Sequence, residues 1–224
     1  MTIDTTALTD ALQRDSSSDR LQAALTAGTR PHTEYLDVLV ARCAIEPDFF
    51  VRDMLTWAIV RQDASVSVPL LLREVAEGGD QARSQALHTL SKIGDVRGWH
   101  AITPELLRSP VDEVARSAWR AAAILVPEGG EAALAELLVD QLGRGDASLR
   151  LSLSRAFAAL GDAALPVLER AAKQGTMDAR AHAIASARLI IDPDATFDDL
   201  ISEAVRTVSL QEAPAPPPDD DAHR

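Results

Sequence analysis

Residues 48–62 read DFFVRDMLTWAIVRQ. Met54, Trp57 and Arg61 fall at i, i+3 and i+7, and Val51, Leu55 and Ile59 form a second line along the same segment. Both spacings are helical. A helix with two such faces is either buried all round or offers one face to a partner. Asp48 stands just ahead of the apolar run, where a carboxylate caps free N–H groups and favours the helix dipole.

The pattern recurs along the chain. Six runs carry an arginine near their start, namely Arg20, Arg52, Arg83, Arg116, Arg150 and Arg180, spaced 30 to 34 residues apart. Three residues after each comes Ala23, Leu55, Ala86, Trp119, Leu153 or Ala183. Asp48, Asp112 and Asp146 stand four before their arginine, and Asp80 three before. Glycine and proline punctuate the chain between runs of ordinary helix length, as at Gly78-Gly79, Gly94/Gly98, Gly143/Gly145 and Gly161. No run alternates with period two, so no strand is expected. A second set of helices lies between the arginine-bearing ones: EYLDVLVARC, SVPLLLREVAE, AITPELLRSP, EAALAELLVDQL and ALPVLERAAKQ. Pro69, Pro104 and Pro166 fall early in three of them, where the missing N–H costs least.

Two helices in a period of about 32 residues define an α-solenoid, because a lone hairpin cannot bury its apolar face and stacking supplies the core. The reading is all-α: six helical hairpins and a closing helix at 197–209 that caps the stack. The expected first helices span 5–14, 33–43, 66–76, 98–108, 130–142 and 163–173. The second helices span 17–27, 48–61, 80–93, 112–125, 147–160 and 177–190. Residues 1–209 form one domain in this reading. Residues 210–224, a Pro-rich acidic stretch, bury too little apolar surface to order themselves.

The units resemble HEAT repeats, in particular the short bacterial HEAT-like type. The features that carry the resemblance are the early proline of the first helix, the Asp…Arg start of the second, and endings such as LSKIGD and FAALGD. It covers residues 16–191; Ser16 and Thr176 replace the aspartate in the terminal units. The resemblance implies a right-handed superhelix with the second helices lining the concave surface.

With the arginine as position zero, positions −1, +3, +7 and +10 are read as packing on the first helix. Positions +2, +5 and +9 are read as the opposite, open side. They are Met54, Trp57 and Arg61; Gln85, His88 and Lys92; Ala118, Ala121 and Leu125; Ser152, Arg155 and Ala159; and His182, Ala185 and Leu189. Met54, Trp57, Arg61, Gln85, His88, Lys92 and Arg155 are therefore the candidate partner-binding residues, since Trp, Met and Arg are enriched at interface hot spots. Trp119 is expected in the core and Trp99 between units. Cys43 is expected to be a buried inert thiol, and the arginine series to hold turn carbonyls or carboxylates of neighbouring units.

The 224 residues carry a formal charge of −12 with a pI near 4.8, against a dedicated nucleic-acid binder or an anionic membrane surface. One cysteine excludes an intrachain disulfide and a thiolate metal cluster. No signal-peptide pattern opens the chain and no apolar run approaches about 18 residues, so a cytoplasmic protein is expected. GxSxG, GxxxxGK[ST], GxGxxG and HExxH are all absent, so neither catalysis nor a metal nor a cofactor is expected. The expected function is a non-enzymatic scaffold, monomeric or weakly dimeric. It would grip a helix or extended peptide with acidic residues. The alternatives are a nucleic-acid-binding protein, such as the HEAT-like alkylpurine DNA glycosylases that Asp53 and Trp57 resemble, and a self-associating structural subunit. Bilin lyases also use HEAT-like repeats, but no residue here points to a bilin.

Overall fold

The computed structural model describes residues 5–212, and among them there are thirteen α-helices and no strand. The helices are α1 (Thr6–Leu12), α2 (Ser17–Thr29), α3 (Leu36–Cys43), α4 (Phe49–Val60), α5 (Ala64–Glu77), α6 (Asp80–Ile93), α7 (Pro104–Leu107), α8 (Asp112–Leu125), α9 (Glu131–Leu138), α10 (Ala147–Leu160), α11 (Leu165–Ala171), α12 (Met177–Ile191) and α13 (Phe197–Glu212). Successive hairpins stack so that α2, α4, α6, α8, α10 and α12 form one layer. The odd-numbered helices α1 to α11 form the other. The result is an all-α superhelix, as the 32-residue period requires. One core runs from Leu12 to Ala183, and a smaller cluster under α13 closes the end.

Local chemistry sets the helix ends. Asp48, Asp63, Asp146 and Thr176 cap α4, α5, α10 and α12 through their side chains. Gly94 ends α6 at φ 72°, a left-handed cap that suits glycine and explains the LSKIGD ending. Asp112 differs from the expectation: it is the first residue of α8 and pairs with Arg144 at 2.6 Å instead of capping. The fourth hairpin differs more. In place of a helix over 98–108 there is a 3-10 turn, Val96–Ala101, and the single turn of α7. The reason is local: the chain breaks at Ile102 and Thr103, and Pro104 restricts the residue before it to extended backbone. Residues 210–212, assigned above to the tail, are the last turn of α13; residues 213–224 lie outside the described residues. The stretch Ala147–Ala171, contrary to the reading above, is long and apolar enough by composition to cross a membrane, with a mean hydropathy of 1.3, although Gly161 (φ 61°) breaks it into α10 and α11.

The arginine series is a repeated clamp. Arg20 donates to the carbonyls of Arg14 and Asp15, Arg52 to those of Glu46 and Pro47, Arg83 to Ala76 and Arg180 to Ala172. Each thus holds the turn of its own hairpin. Arg20 and Arg180 also reach a carboxylate of the next segment, Glu46 and Glu212, while Arg150 pairs with Asp178 and Arg116 with Glu113 of its own helix. Cys43 is buried, and burial pushes its thiol up to about 12, so the thiol stays protonated and unreactive.

His182 is fully buried, which corrects its assignment to the open face. Second helices lie side by side, so position +2 points at the previous unit. Its Nδ1 accepts the Gly143 N–H at 3.0 Å, and its Nε2–H points to the Arg150 carbonyl and to Ser154 Oγ, both at 3.0 Å. Ser186 Oγ extends this chain, 2.8 Å from Ser154 Oγ. Burial lowers the imidazole to about 4; the Arg150 carbonyl opposes this and the Arg150 charge adds to it. Protonation at Nδ1 would set two donors against each other at Gly143. A lowered histidine gives stability that is complete above its unfolded value of about 6.5 and is lost as pH falls toward 4. Urea unfolding at pH 7, 5.5 and 4 should show this as a loss of about 3 kcal/mol that is absent from the slope of His182→Gln. Parallel slopes for the two chains would refute the assignment.

Candidate interaction groove

Asp48 accepts the N–H groups of Phe50 and Val51 at 2.9 and 3.1 Å, and so fixes where α4 begins. That start leaves Phe49 and Phe50 in the first turn, 65% and 71% exposed, with their rings edge-on at 5.6 Å. Arg52, held by its two turn carbonyls, lies 6.0 Å from the centre of the Phe49 ring. The Gln81 side chain ties α6 to the α3–α4 turn by donating to the carbonyls of Cys43 and Glu46. Between the N-terminal halves of α4, α6 and α8 a groove of about 360 Å³ opens.

Its floor is polar. Ser84 Oγ donates to the Glu113 carbonyl at 3.3 Å and lies 2.9 Å from Ser117 Oγ. Its walls carry Phe49, Arg52, Asp53, Gln85, His88, Glu113, Arg116 and Arg120. Three guanidinium groups therefore face two carboxylates, on a chain of net charge −12. Arg116 meets Glu113 only at 3.8 Å, and its buried Nε has no partner. Arg120 donates to His88 Nδ1 at 3.2 Å and has no carboxylate at ion-pair distance among the described residues. Burial, then the charges of Arg120 and Lys92, lower the His88 pKa against the opposing pull of Asp53, which keeps the imidazole neutral as an acceptor. The groove thus presents three guanidinium groups that its two carboxylates meet only at long range or not at all, beside an exposed aromatic ring. That arrangement suits a carboxylate next to an apolar side chain.

The seven residues read from the sequence divide. Gln85 and His88 line the groove. Arg61 and Lys92 are exposed near the far ends of α4 and α6. Trp57 is 38% exposed, its ring lying on Gly28 of α2 so closely that a Cβ there would meet it at 2.2 Å. Met54 is half-buried against the core. Arg155 lies apart, in a depression with Leu151, Leu189 and Phe197 where α13 begins. The open-side register holds in α4, α6 and α10, where Ser152 is half-buried and Arg155 and Ala159 are exposed, but not in α8 or α12: Ala118, Ala121 and Leu125 are buried, as are Ala185 and Leu189. In α8 the open strip falls one residue earlier, at Arg120 and Ile124. Phe49 and Arg120 are not among the residues read from the sequence, and Arg52 and Arg116 are read there only as members of the structural arginine series. For the phenylalanines the signal was available, since two aromatics directly after an N-cap have no preceding turn to cover them.

A second depression, of about 500 Å³, opens on the other layer where α7 is short. Leu72, Val75 and Leu106 line it with His100 and Arg83, whose guanidinium donates to the Ala76 carbonyl.

No family model matches the chain, and no curated protein matches it. Among solved structures, an engineered protein aligns over 93% of this chain and 98% of its own at 18% identity, with a TM-score of 0.47. The complex of CpcE and CpcF of phycocyanin lyase from Nostoc sp. PCC7120 aligns over 93% and 96% at 16% identity, with a TM-score of 0.37. At these scores neither likeness bears on what this chain does.

Proposed function

We propose that this chain is a non-enzymatic interaction scaffold of HEAT-like hairpins. Its second-helix layer takes an acidic segment of a protein partner in the groove between α4, α6 and α8. The observation that carries this reading is Arg120, a guanidinium with no carboxylate of its own, set in a groove with the exposed Phe49. Arg116 and Arg120 take partner carboxylates, His88 orients Arg120, and Phe49 receives an adjoining apolar side chain. Trp57, Arg61 and Lys92 extend the contact along α4 and α6. Rim charges of this kind speed and orient association, and a buried charge pair at the centre of the contact sets its lifetime.

The test is capture from cell extract by wild type and by Arg120→Glu, both first shown to fold by circular dichroism. Arg120 is exposed, so the reversal leaves the core intact. A protein held by wild type should be lost, or weakened at least tenfold, in the variant. Equal capture by both chains would place binding elsewhere. Retention of duplex DNA in a gel shift at low salt, lost in the same variant, would favour the nucleic-acid reading instead.

A further inference from the structure

In the fourth unit the odd-numbered layer thins. Its first helix is replaced by the 3-10 turn Val96–Ala101 and the single turn of α7, with extended backbone at Ile102 and Thr103 between them. The full-length α5 stands beside it. One turn of helix covers less of its neighbour than four turns do, and the depression of about 500 Å³ opens over the C-terminal half of α5. That volume lies within the range of small-molecule sites. The lining comes from the third and fourth units alone, a span that fits a small molecule.

The walls are apolar. Val75 is buried, and Leu72 and Leu106 are half-buried, so part of each leucine side chain is left to the depression. The polar groups stand at the rim. Thr103 and the Glu105 N–H hold the Glu105 carboxyl below the ordinary carboxylate range, which ties that carboxylate to the first turn of α7. His100 is exposed and has a ring N–H to donate. Arg83 is the cation of the lining. Among the described residues its hydrogen-bond partner is the Ala76 carbonyl, 3.2 Å from Nη2, and no carboxylate stands at ion-pair distance. The arginines at the same position in the first, fourth, fifth and sixth units each have a carboxylate: Glu46, Glu113, Asp178 and Glu212. Arg52 of the second unit has none, but it donates to two carbonyls and lies by the Phe49 ring. A guanidinium that gives one N–H to a carbonyl keeps further donors, and two of them side by side match a carboxylate.

We propose that this depression binds a small organic acid with an apolar body, a carboxylate of the fatty-acid type. The carboxylate lies on Arg83 and His100, and the tail lies on Leu72, Val75 and Leu106. The site is on the opposite layer from the groove between α4, α6 and α8, so either reading can fail without the other.

The test titrates the full ¹⁵N-labelled chain at pH 7 with sodium octanoate and, in parallel, with 1-octanol and octylammonium chloride. Octanoate should shift the amides of residues 72–76, 83 and 100–106 saturably. It should bind at least tenfold more tightly than 1-octanol, with octylammonium weaker still. From hexanoate to decanoate each added methylene should tighten binding up to about fourfold. Arg83→Gln should bring octanoate down to the affinity of 1-octanol and leave 1-octanol as in wild type, which shows that the depression is intact. Leu106→Glu should weaken both. Should Arg83→Gln lose both ligands, the wild-type comparison of acid with alcohol and ammonium decides alone. Equal affinity for acid and alcohol, tighter binding of the ammonium, no saturable shift, or an octanoate affinity unchanged in Arg83→Gln would each overturn the proposal. So would shifts at residues 49–53 and 113–120 instead, because the groove arginines would then take the acid. A sedimentation mass that rises with concentration in wild type and not in Leu106→Glu would give the depression to a second copy and overturn it too.

Discussion

Glu46→Ala should destabilise the chain by about 3–5 kcal/mol in urea unfolding. Glu46 is fully buried, and so, nearly, is its partner Arg20 at 6% exposure. The two make a bidentate pair, Arg20 Nε to Oε2 at 2.8 Å and Nη2 to Oε1 at 2.7 Å. Arg42 adds two further hydrogen bonds to Oε2, and the Asp48 N–H donates to Oε1 at 2.9 Å. Burial alone would raise the carboxyl pKa, but the bonds from Arg20, the Asp48 N–H and Arg42 outweigh it and hold Glu46 at about 2. The stabilisation is therefore complete above about pH 4.3 and is lost as pH falls toward 2. Removing the carboxylate leaves a buried guanidinium without its counter-charge, which is the source of the large cost. Arg20→Met/Glu46→Leu should recover part of the loss, because the most deeply buried guanidinium goes with its counter-charge while Arg42 and the Asp48 N–H still lose their acceptor. The pair joins the first hairpin to the second. In a linear stack its loss acts on nearest neighbours, so hydrogen exchange should quicken first in α2. A cost below 1 kcal/mol, or exchange that quickens uniformly, would show that the pair does not hold the two units together.

Trp119→Ala should cost a similar 3–5 kcal/mol. The ring is 0% exposed, and its Nε1–H donates to the Leu107 carbonyl at 2.8 Å. Arg144 covers it at 5.9 Å from the ring centre. The position follows from the short fourth hairpin. Beside the one-turn α7 the unit carries an indole at position +3, where other units have Ala86 or Ala183, and its N–H holds the end of α7. Trp119→Phe keeps most of the apolar area but orphans the Leu107 carbonyl. It should cost about 1–3 kcal/mol. If both variants unfold at the wild-type urea concentration, the indole is not what completes this hairpin.

The helices and their pairing were legible because glycine, proline and aspartate punctuate the chain at each turn, and those signals act over a few residues. The clamp role of the arginines was legible from their period. The open face was legible only in part. A helix's periodicity reports which side chains share a side, but not how far each helix is rotated when it meets its neighbours in the next unit. Position +5 is thus exposed at Trp57, half-buried at His88 and fully buried at Ala121. His182 shows the same limit. A polar residue on an apparently open stripe proved to be buried, and only its alignment with Ser154 and Ser186 hinted at an internal network. Arg120 stands out only in space, where it has no carboxylate at ion-pair distance among the described residues, and one-dimensional spacing does not record that.

The central claim is that the groove between α4, α6 and α8 is where a partner binds. The direct measurement is a titration of the captured partner into the ¹⁵N-labelled chain, with each shifted amide mapped by NMR. The account predicts shifts concentrated at residues 49–53, 84–88 and 113–120, and their loss in Arg120→Glu. Shifts confined to the other layer, around Leu72, His100 and Leu106, would contradict it and move the site to the depression beside α7.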